Sequence, residues 1–457
     1  MADTEALLAG AVGARHVLAG AEVPPEYAGD ESLTALPQTP AYLVRPAAAA
    51  EVADVLRIAG EAGIPVTARG SGTGMSGGCV PRPGGITVSF ERMNRVLEVD
   101  AVNHVAVVQP GVTLDQLDHE AAKSGLQYPV RLGEPTASIG GTIATNAGGM
   151  HAVRHGVTRH HVLAVEAVLA SGEIVRGGGK YVKTSTGYDL AQLLVGSEGT
   201  LALVTEATLR LRPRARHSTT VLAAFASAED AFRSVPPLAG GGLEPAALEY
   251  VDPLAMAAIA DGHGKGLGIP ASVRLSALGY LLVVLEDRSG TRLQEDVEAV
   301  GEQLLELGAA DVFVLPAATA RSLVEARERA FWTAKAAGAD DIVDVVVPRG
   351  ELHGLLAAAR AAAEDTGSLV TGCGHAGDGN VHLSVFQPDP VRRDEVLRRL
   401  FRAGLERGGA VSGEHGIGRA KKSYFLELED PARVELMRRI KQAFDPGGIL
   451  NPGVLLD

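Results

Sequence analysis

A chain of 457 residues, 46% hydrophobic and 21% charged, is too long for one compact core, so two or three folded domains are expected. Its net charge of −13 argues against nucleic acid or an anionic membrane as the main partner, and an anionic substrate would need a local cation. The two cysteines, Cys79 and Cys373, are too few for a four-thiolate zinc or iron–sulfur site, so any electrons travel on an organic cofactor or leave to another protein.

The acidic start, Met1-Ala2-Asp3-Thr4-Glu5, lacks the basic lead of a secretory signal, and no apolar run is long enough to span a bilayer. A cytoplasmic location is therefore expected. Strands are predicted at 42–44, 64–68, 86–90, 96–99 and 105–108, with a helix after the first of them carrying Val52, Val55, Leu56 and Ala59 on one face. Thr113 and Gln116 form a capping-box signature for a helix running to about Ser124. Strands at 163–169, 173–176 and 201–211 complete a first α+β unit, and Arg212-Pro213-Arg214-Ala215-Arg216 reads as a boundary. The pattern then restarts: strand 221–225, helix 228–238, strand 280–285, helix 291–307 and strand 311–315. This is a second α+β unit on an antiparallel sheet.

The loop Arg69-Gly70-Ser71-Gly72-Thr73-Gly74-Met75-Ser76-Gly77-Gly78 follows a predicted strand. Its glycines would let backbone N–H groups approach a pyrophosphate, with Ser71, Thr73 and Ser76 adding hydroxyl donors. It is not a Rossmann fingerprint, because Pro81, Pro83, Gly84 and Gly85 and then a strand follow where a helix should open. Two more glycine-rich segments, 133–149 and 187–200, suggest an extended ligand held mainly by backbone.

Further on, Gly374-His375 and Val381-His382-Leu383-Ser384-Val385 bring two imidazoles close in sequence. Alternation puts Val381, Leu383 and Val385 on one strand face and His382 on the other. Alone the two histidines read more readily as a hydrogen-bonded pair; the Glu414-His415 loop, set among Gly413, Gly416 and Gly418, tips the reading toward a ligand set for a divalent ion. His415 is left for proton transfer, against the plainer reading of an exposed loop histidine. Arg327 shares a helix face with Leu323, Val324 and Phe331. A charge on an apolar face needs a partner, either a substrate carboxylate or an internal acid.

Together with Tyr27, Asp30 and the closing Asn451-Pro452, the three loops resemble the flavin-binding domain of the vanillyl-alcohol-oxidase superfamily. The second half resembles the branch holding the flavin-bearing chain of glycolate oxidase, D-lactate dehydrogenase and D-2-hydroxyglutarate dehydrogenase, and the likeness runs in order over nearly the whole chain. It implies an α+β fold: a two-part FAD-binding domain of the PCMH type at 1–216, to which 444–457 returns, and an α+β cap domain with an antiparallel sheet at 217–443. It implies FAD beside Arg69, with the pyrophosphate over Gly70, Ser71, Gly72, Thr73, Gly74 and Ser76. Pro135, Thr136, Gly140, Gly141, Thr145, Asn146, Gly199 and Val204 would line the rest, and Asn451 would reach the flavin. The first loop has no histidine, so the FAD is expected to be non-covalent.

The same resemblance implies zinc or manganese on His375, His382 and Glu414, Arg327 and Asn380 at the substrate, and His415 as the base. The reaction it implies is oxidation of a D-2-hydroxy acid to the 2-oxo acid. The strand at 341–347 carries no lysine or arginine for a second carboxylate, which favours D-lactate or glycolate over D-2-hydroxyglutarate or D-malate. An alcohol oxidase of the same superfamily has no use for the metal set, a non-redox FAD-binding protein none for His415, and a metallohydrolase leaves the glycine loops unexplained. Relatives pass electrons to a quinone, an electron-transfer flavoprotein, a cytochrome or an iron–sulfur protein, any of which could hold the protein at a membrane periphery. A homodimer is compatible with the reading.

Overall fold

Three large sheets and a two-stranded one, Leu126–Gln127 with Arg212–Pro213, organise the chain in this computed structural model, which describes residues 2–262 and 270–456. The first has four strands, Val17–Ala19, Tyr42–Val44, Ile86–Ser89 and Val66–Arg69 in spatial order, the last three parallel to one another. Its parallel crossover is the helix Ala49–Ala62, whose Val52, Val55, Leu56 and Ala59 are buried as the spacing predicts. That helix ends where Gly63 takes a left-handed φ of 61°. The second sheet is five antiparallel strands in the order Val96–Asp100, Val105–Val108, Leu203–Arg210, Val162–Val168 and Ile174–Gly178. Thr113 caps the helix Leu114–Ala122 through the expected capping box, with Leu114, Leu117 and Ala121 facing the core.

The third sheet has seven strands, all antiparallel, beginning with His217–Phe225. Their order is Asp311–Val314, His217–Phe225, Gly279–Asp287, Ala247–Val251, Leu369–His375, Asn380–Phe386 and Asp341–Val346. Its inner face packs Val343, Val345, Val381, Leu383 and Val385 against the helices Leu352–Thr366 and Pro390–Glu406. The strand Ala247–Val251 is not apparent from the sequence pattern, and it carries the buried carboxylate of Glu249.

Two expected helices are interrupted. The segment 228–238 is two helices, Ala228–Arg233 and Val235–Gly240, because Pro236 and Pro237 supply no N–H and fit only the first turn of a new helix. The helix of Arg327 spans Ala317–Glu328, breaks at Arg329 (ψ 10°) and resumes over Ala330–Ala336, so Phe331 lies beyond the break. At the C-terminus Leu450 bridges Val66, and the Asn451 N–H donates to the Val66 carbonyl at 2.7 Å, adding a short edge to the first sheet.

Candidate active site

One cavity of about 720 Å³ is lined by the glycine loops at one end and by the histidines at the other, within the usual size range of ligand clefts. Gly70, Ser71, Gly72, Thr73, Gly74, Ser76, Gly140, Gly141, Thr145, Gly199, Val204 and Asn451 all line it. Arg69, Pro135, Thr136 and Asn146 do not. The Arg69 guanidinium instead holds the Gly29 carbonyl at 2.5 Å and lies over the Tyr27 ring, bracing the loop from behind. A side chain at Gly70 would collide with Ser138 Oγ, so glycine there lets the first two loops meet.

The hydroxyls are more committed than the sequence suggests. Ser71 Oγ donates to the Thr136 carbonyl at 2.6 Å, and Ser76 Oγ lies 3.1 and 3.0 Å from the carbonyls of His415 and Gly416. Ser76 thus ties the glycine-loop half to the His415 loop rather than presenting a free donor to a pyrophosphate. Asp30 is the converse case. It lines the cavity, its Oδ2 is buried without a partner, and burial raises its pKa.

At the other end, sheet register assembles the imidazoles. His375 closes one strand of a hairpin and pairs with Asn380 at the start of the next, while His382 stands opposite both Cys373 and Asp344. His375, His382 and Glu414 offer ligand atoms that all lie within 4.8 Å of one another. Glu414 Oε1 is 3.3 Å from Nε2 of each histidine. The His415 ring stacks on His382 with centroids 4.8 Å apart, and its Nε2 is 3.9 Å from the same Glu414 oxygen.

Two acids that sequence alone does not single out hold this arrangement. Tyr250 pairs with Gly374, which brings Glu249 beside His375; the fully buried Glu249 carboxylate accepts from His375 Nδ1 at 2.8 Å and from Arg327 Nη2 at 2.7 Å. A carboxylate only accepts, so Nδ1 carries a proton toward Glu249, and Nε2, 3.3 Å from Glu414, is the nitrogen a cation would take in exchange for its own proton. A single Glu within the apolar run 246–251 was the available signal. The second acid is Asp344, also fully buried. Its Oδ2 accepts from Ser412 Oγ at 2.7 Å and from the N–H groups of Gly413, Glu414 and His415 at 3.1, 2.9 and 2.8 Å.

Asn380 is placed differently from expectation. It does not line the cavity, because its amide is engaged by Asp344 Oδ1 at 2.7 Å and the Val345 carbonyl at 3.1 Å. Arg327 does line the cavity, but the internal acid is there too: Glu249 takes one amino group, while Nε stays buried without a partner. From the third glycine-rich loop Glu198, at a left-handed φ of 51°, accepts from the N–H groups of Ile417 and Gly418 at 2.9 and 2.8 Å.

The electrostatics favour a cation between the imidazoles. Burial opposes charge on His375, yet Glu249 and Glu414 outweigh it and hold its pKa well above the ordinary value. Burial likewise opposes charge on Glu414, but His375 and His382 keep it well below the carboxylate range. Two neutralisable imidazoles and one ionised carboxylate converging on one point form a donor set that fits zinc or manganese. His415, by contrast, has its pKa lowered to about 4, chiefly by burial, which leaves its imidazole neutral at pH 7.

Among the described residues no helix is long and apolar enough to cross a membrane. The FAD binding domain family matches residues 40–178, and the family of FAD linked oxidases, C-terminal domain, matches 214–455. An uncharacterized FAD-linked oxidoreductase of Mycobacterium tuberculosis is 54% identical over 100% of this chain and 99% of its own length. A D-lactate dehydrogenase of Anaerostipes hadrus is 35% identical over 96% of this chain and 94% of its own. The solved 4-ethylphenol oxidase of Gulosibacter chungangensis superposes with a TM-score of 0.80 at 20% identity, covering 100% of this chain and 97% of that one, and so shares the fold. The chain therefore belongs to the FAD-linked oxidases and is an FAD-binding oxidoreductase of the branch whose relatives are named D-lactate dehydrogenase, glycolate oxidase subunit GlcD and D-2-hydroxyglutarate dehydrogenase.

Proposed function

We propose that the protein oxidises a D-2-hydroxy monocarboxylic acid to the 2-oxo acid. The observation that carries this reading is the meeting, in one cavity with the glycine loops, of the His375, His382 and Glu414 ligand set and a stacked, neutral His415. Bound there, FAD supplies a two-electron acceptor, and a divalent cation on His375, His382 and Glu414 supplies the charge that acidifies a 2-hydroxyl. His415 takes the hydroxyl proton. Its backbone is fixed by Asp344 and Ser76, so the ring is presented without a search over loop conformers. Arg327, with its Nε unpartnered, binds the carboxylate, and Glu249 keeps that guanidinium in place. FAD is held non-covalently by the backbone of the loops, with Asn451, which donates to the carbonyls of Gly78 and Glu198 at 2.8 Å, joining the first and third loops.

The test is anaerobic. D-lactate, glycolate and longer D-2-hydroxy acids are added to the yellow holoprotein and bleaching of the flavin is followed. Bleaching that a chelator suppresses, and that His415→Ala abolishes while retaining flavin, is the expected result. Wild-type reduction rates in His415→Ala would remove that residue from the chemistry.

A further inference from the structure

We propose that the 2-hydroxy acid oxidised here carries a bulky apolar side chain, aryl or long alkyl, seated on the sheet strip of Ile342, Ser384 and Phe386. The proposal rests on the 2-hydroxy-acid reading above and names its substrate class.

Register lays out the strip. Moving away from the His375 hairpin end, Cys373, His382 and Asp344 form one cross-strand row, Thr371, Ser384 and Ile342 the next, and Leu369 and Phe386 the last. Side chains two apart share a face, so each row lies about 6.7 Å beyond the one before. His382, Ser384, Phe386, Ile342, Thr371 and Leu369 all line the same cavity, which therefore continues past the ligand set along the sheet. The Ser412 loop bridges the edge of this sheet at Asp344, with Ala410 at Val346, and so runs beside the histidine end of the strip. Phe331, Trp332 and Leu254 line the cavity as well.

The chemistry of the far rows is apolar. The Thr371 hydroxyl is turned to Asp252 Oδ2 at 2.5 Å, which leaves Ser384 beside Ile342, Phe386 and Leu369. Leu254 and Leu369 stand 57% and 49% exposed at this wall, and a contiguous apolar lining of that kind marks a ligand groove. Among the described residues lining the cavity, Arg327 is the one arginine and there is no lysine. Lys335, whose ammonium lies 5.4 Å from the Trp332 ring centroid, is paired with Glu31 at 2.6 Å. A second carboxylate on the substrate would meet rings and aliphatic carbons without a countercharge. A lactate methyl, held at the histidine row, ends short of the Ile342 row about 6.7 Å away; a benzyl group crosses that one step and lays its ring on Ile342, pointing toward Phe386 one row further on.

Anaerobic flavin reduction is measured with D-lactate, D-phenyllactate and D-2-hydroxyglutarate on the holoenzyme. The expected result is a kcat/KM for D-phenyllactate at least about tenfold above D-lactate, with D-2-hydroxyglutarate lowest. In Phe386→Ala and Ile342→Ala proteins that retain flavin, the phenyllactate-to-lactate ratio falls at least about fivefold, mainly through KM. D-lactate or D-2-hydroxyglutarate matching D-phenyllactate overturns the proposal while leaving the 2-hydroxy-acid reading intact. A ratio unmoved by both variants overturns the assigned seat. A flavin-loaded protein that none of these acids reduces overturns the underlying reading as well.

Discussion

Glu249 Oε1 lies 2.8 Å from His375 Nδ1, both groups buried, and its other oxygen lies 2.7 Å from the Arg327 guanidinium. One carboxylate thereby sets the tautomer of a candidate metal ligand and neutralises the candidate substrate-binding cation. Glu249→Gln keeps an acceptor but removes the charge. Metal titration of the stripped protein is expected to show an affinity about 10–100-fold weaker, the usual cost of losing such a supporting partner. The same variant leaves Arg327 buried without its countercharge, so the melting temperature falls as well. Unchanged metal affinity would show that Glu249 serves Arg327 alone.

Asp344 gathers three consecutive amides and a hydroxyl on one oxygen. Asp344→Ala leaves those donors without an acceptor, each at a cost of about 1–3 kcal/mol where water cannot reach it. The expected outcome is a protein that still binds flavin through its first half but reduces it at least about a hundredfold more slowly, because the His415 backbone is no longer fixed. Stopped-flow reduction and the flavin-to-protein ratio, read together, check this.

Two histidines away from the ligand set make the fold acid-labile. Burial pulls His151 down to about 3 and His161 down to about 4 from the ordinary 6.5, and the His161 ring is fixed by a 2.9 Å bond to the His155 carbonyl. Below pH 6.5 the unfolded chain takes up protons that the folded chain refuses until pH 4 or 3. Stability is therefore full above 6.5 and falls as the pH drops, by about 1.4 kcal/mol per unit for each histidine across that window. Glu198 and Asp378, whose carboxyls burial pushes up to about 7, act in the opposite sense over this window, so the test is a comparison: from pH 7 to pH 5 the melting temperature of His161→Asn should gain relative to wild type. Identical pH slopes in the two proteins contradict the assignment.

The flavin loops offer no histidine, and Cys79, which lines the same cavity, has its thiol pushed up to about 12 by burial, so it is a poor nucleophile. Acid precipitation of the holoprotein is expected to release all the flavin into the supernatant. Yellow colour remaining in the washed pellet would mean a covalent link.

The parts of this site that were legible in sequence are those written in local periodicity. The alternation of Val381, Leu383 and Val385 left His382 on the opposite face, and in the structure those three residues are core while His382 opens on the cavity. The capping box at Thr113 likewise needed nothing beyond its own turn. What stayed hidden depends on pairing between distant segments. Glu249 meets His375 across 126 positions because strand Ala247–Val251 inserts between Gly279–Asp287 and Leu369–His375, and no local pattern announces that order. Asp344 looked like one acid among others in its strand until register set it opposite His382. The engagement of Ser76 and Asn380 was hidden for the same reason: a hydroxyl or amide is legible as a donor, but its acceptor is chosen by tertiary structure.

The loop bearing His415 donates its amides to two different acids: residues 413–415 to Asp344 of the seven-stranded sheet, and residues 417 and 418 to Glu198 of the flavin half. It behaves as a keystone. On the reading proposed above, a shift of one half against the other drags the His415 imidazole with it, and releasing either acid is expected to loosen the seam between the halves along with that ring. Assembly of the proposed reaction centre would then be coupled to closure of the two halves.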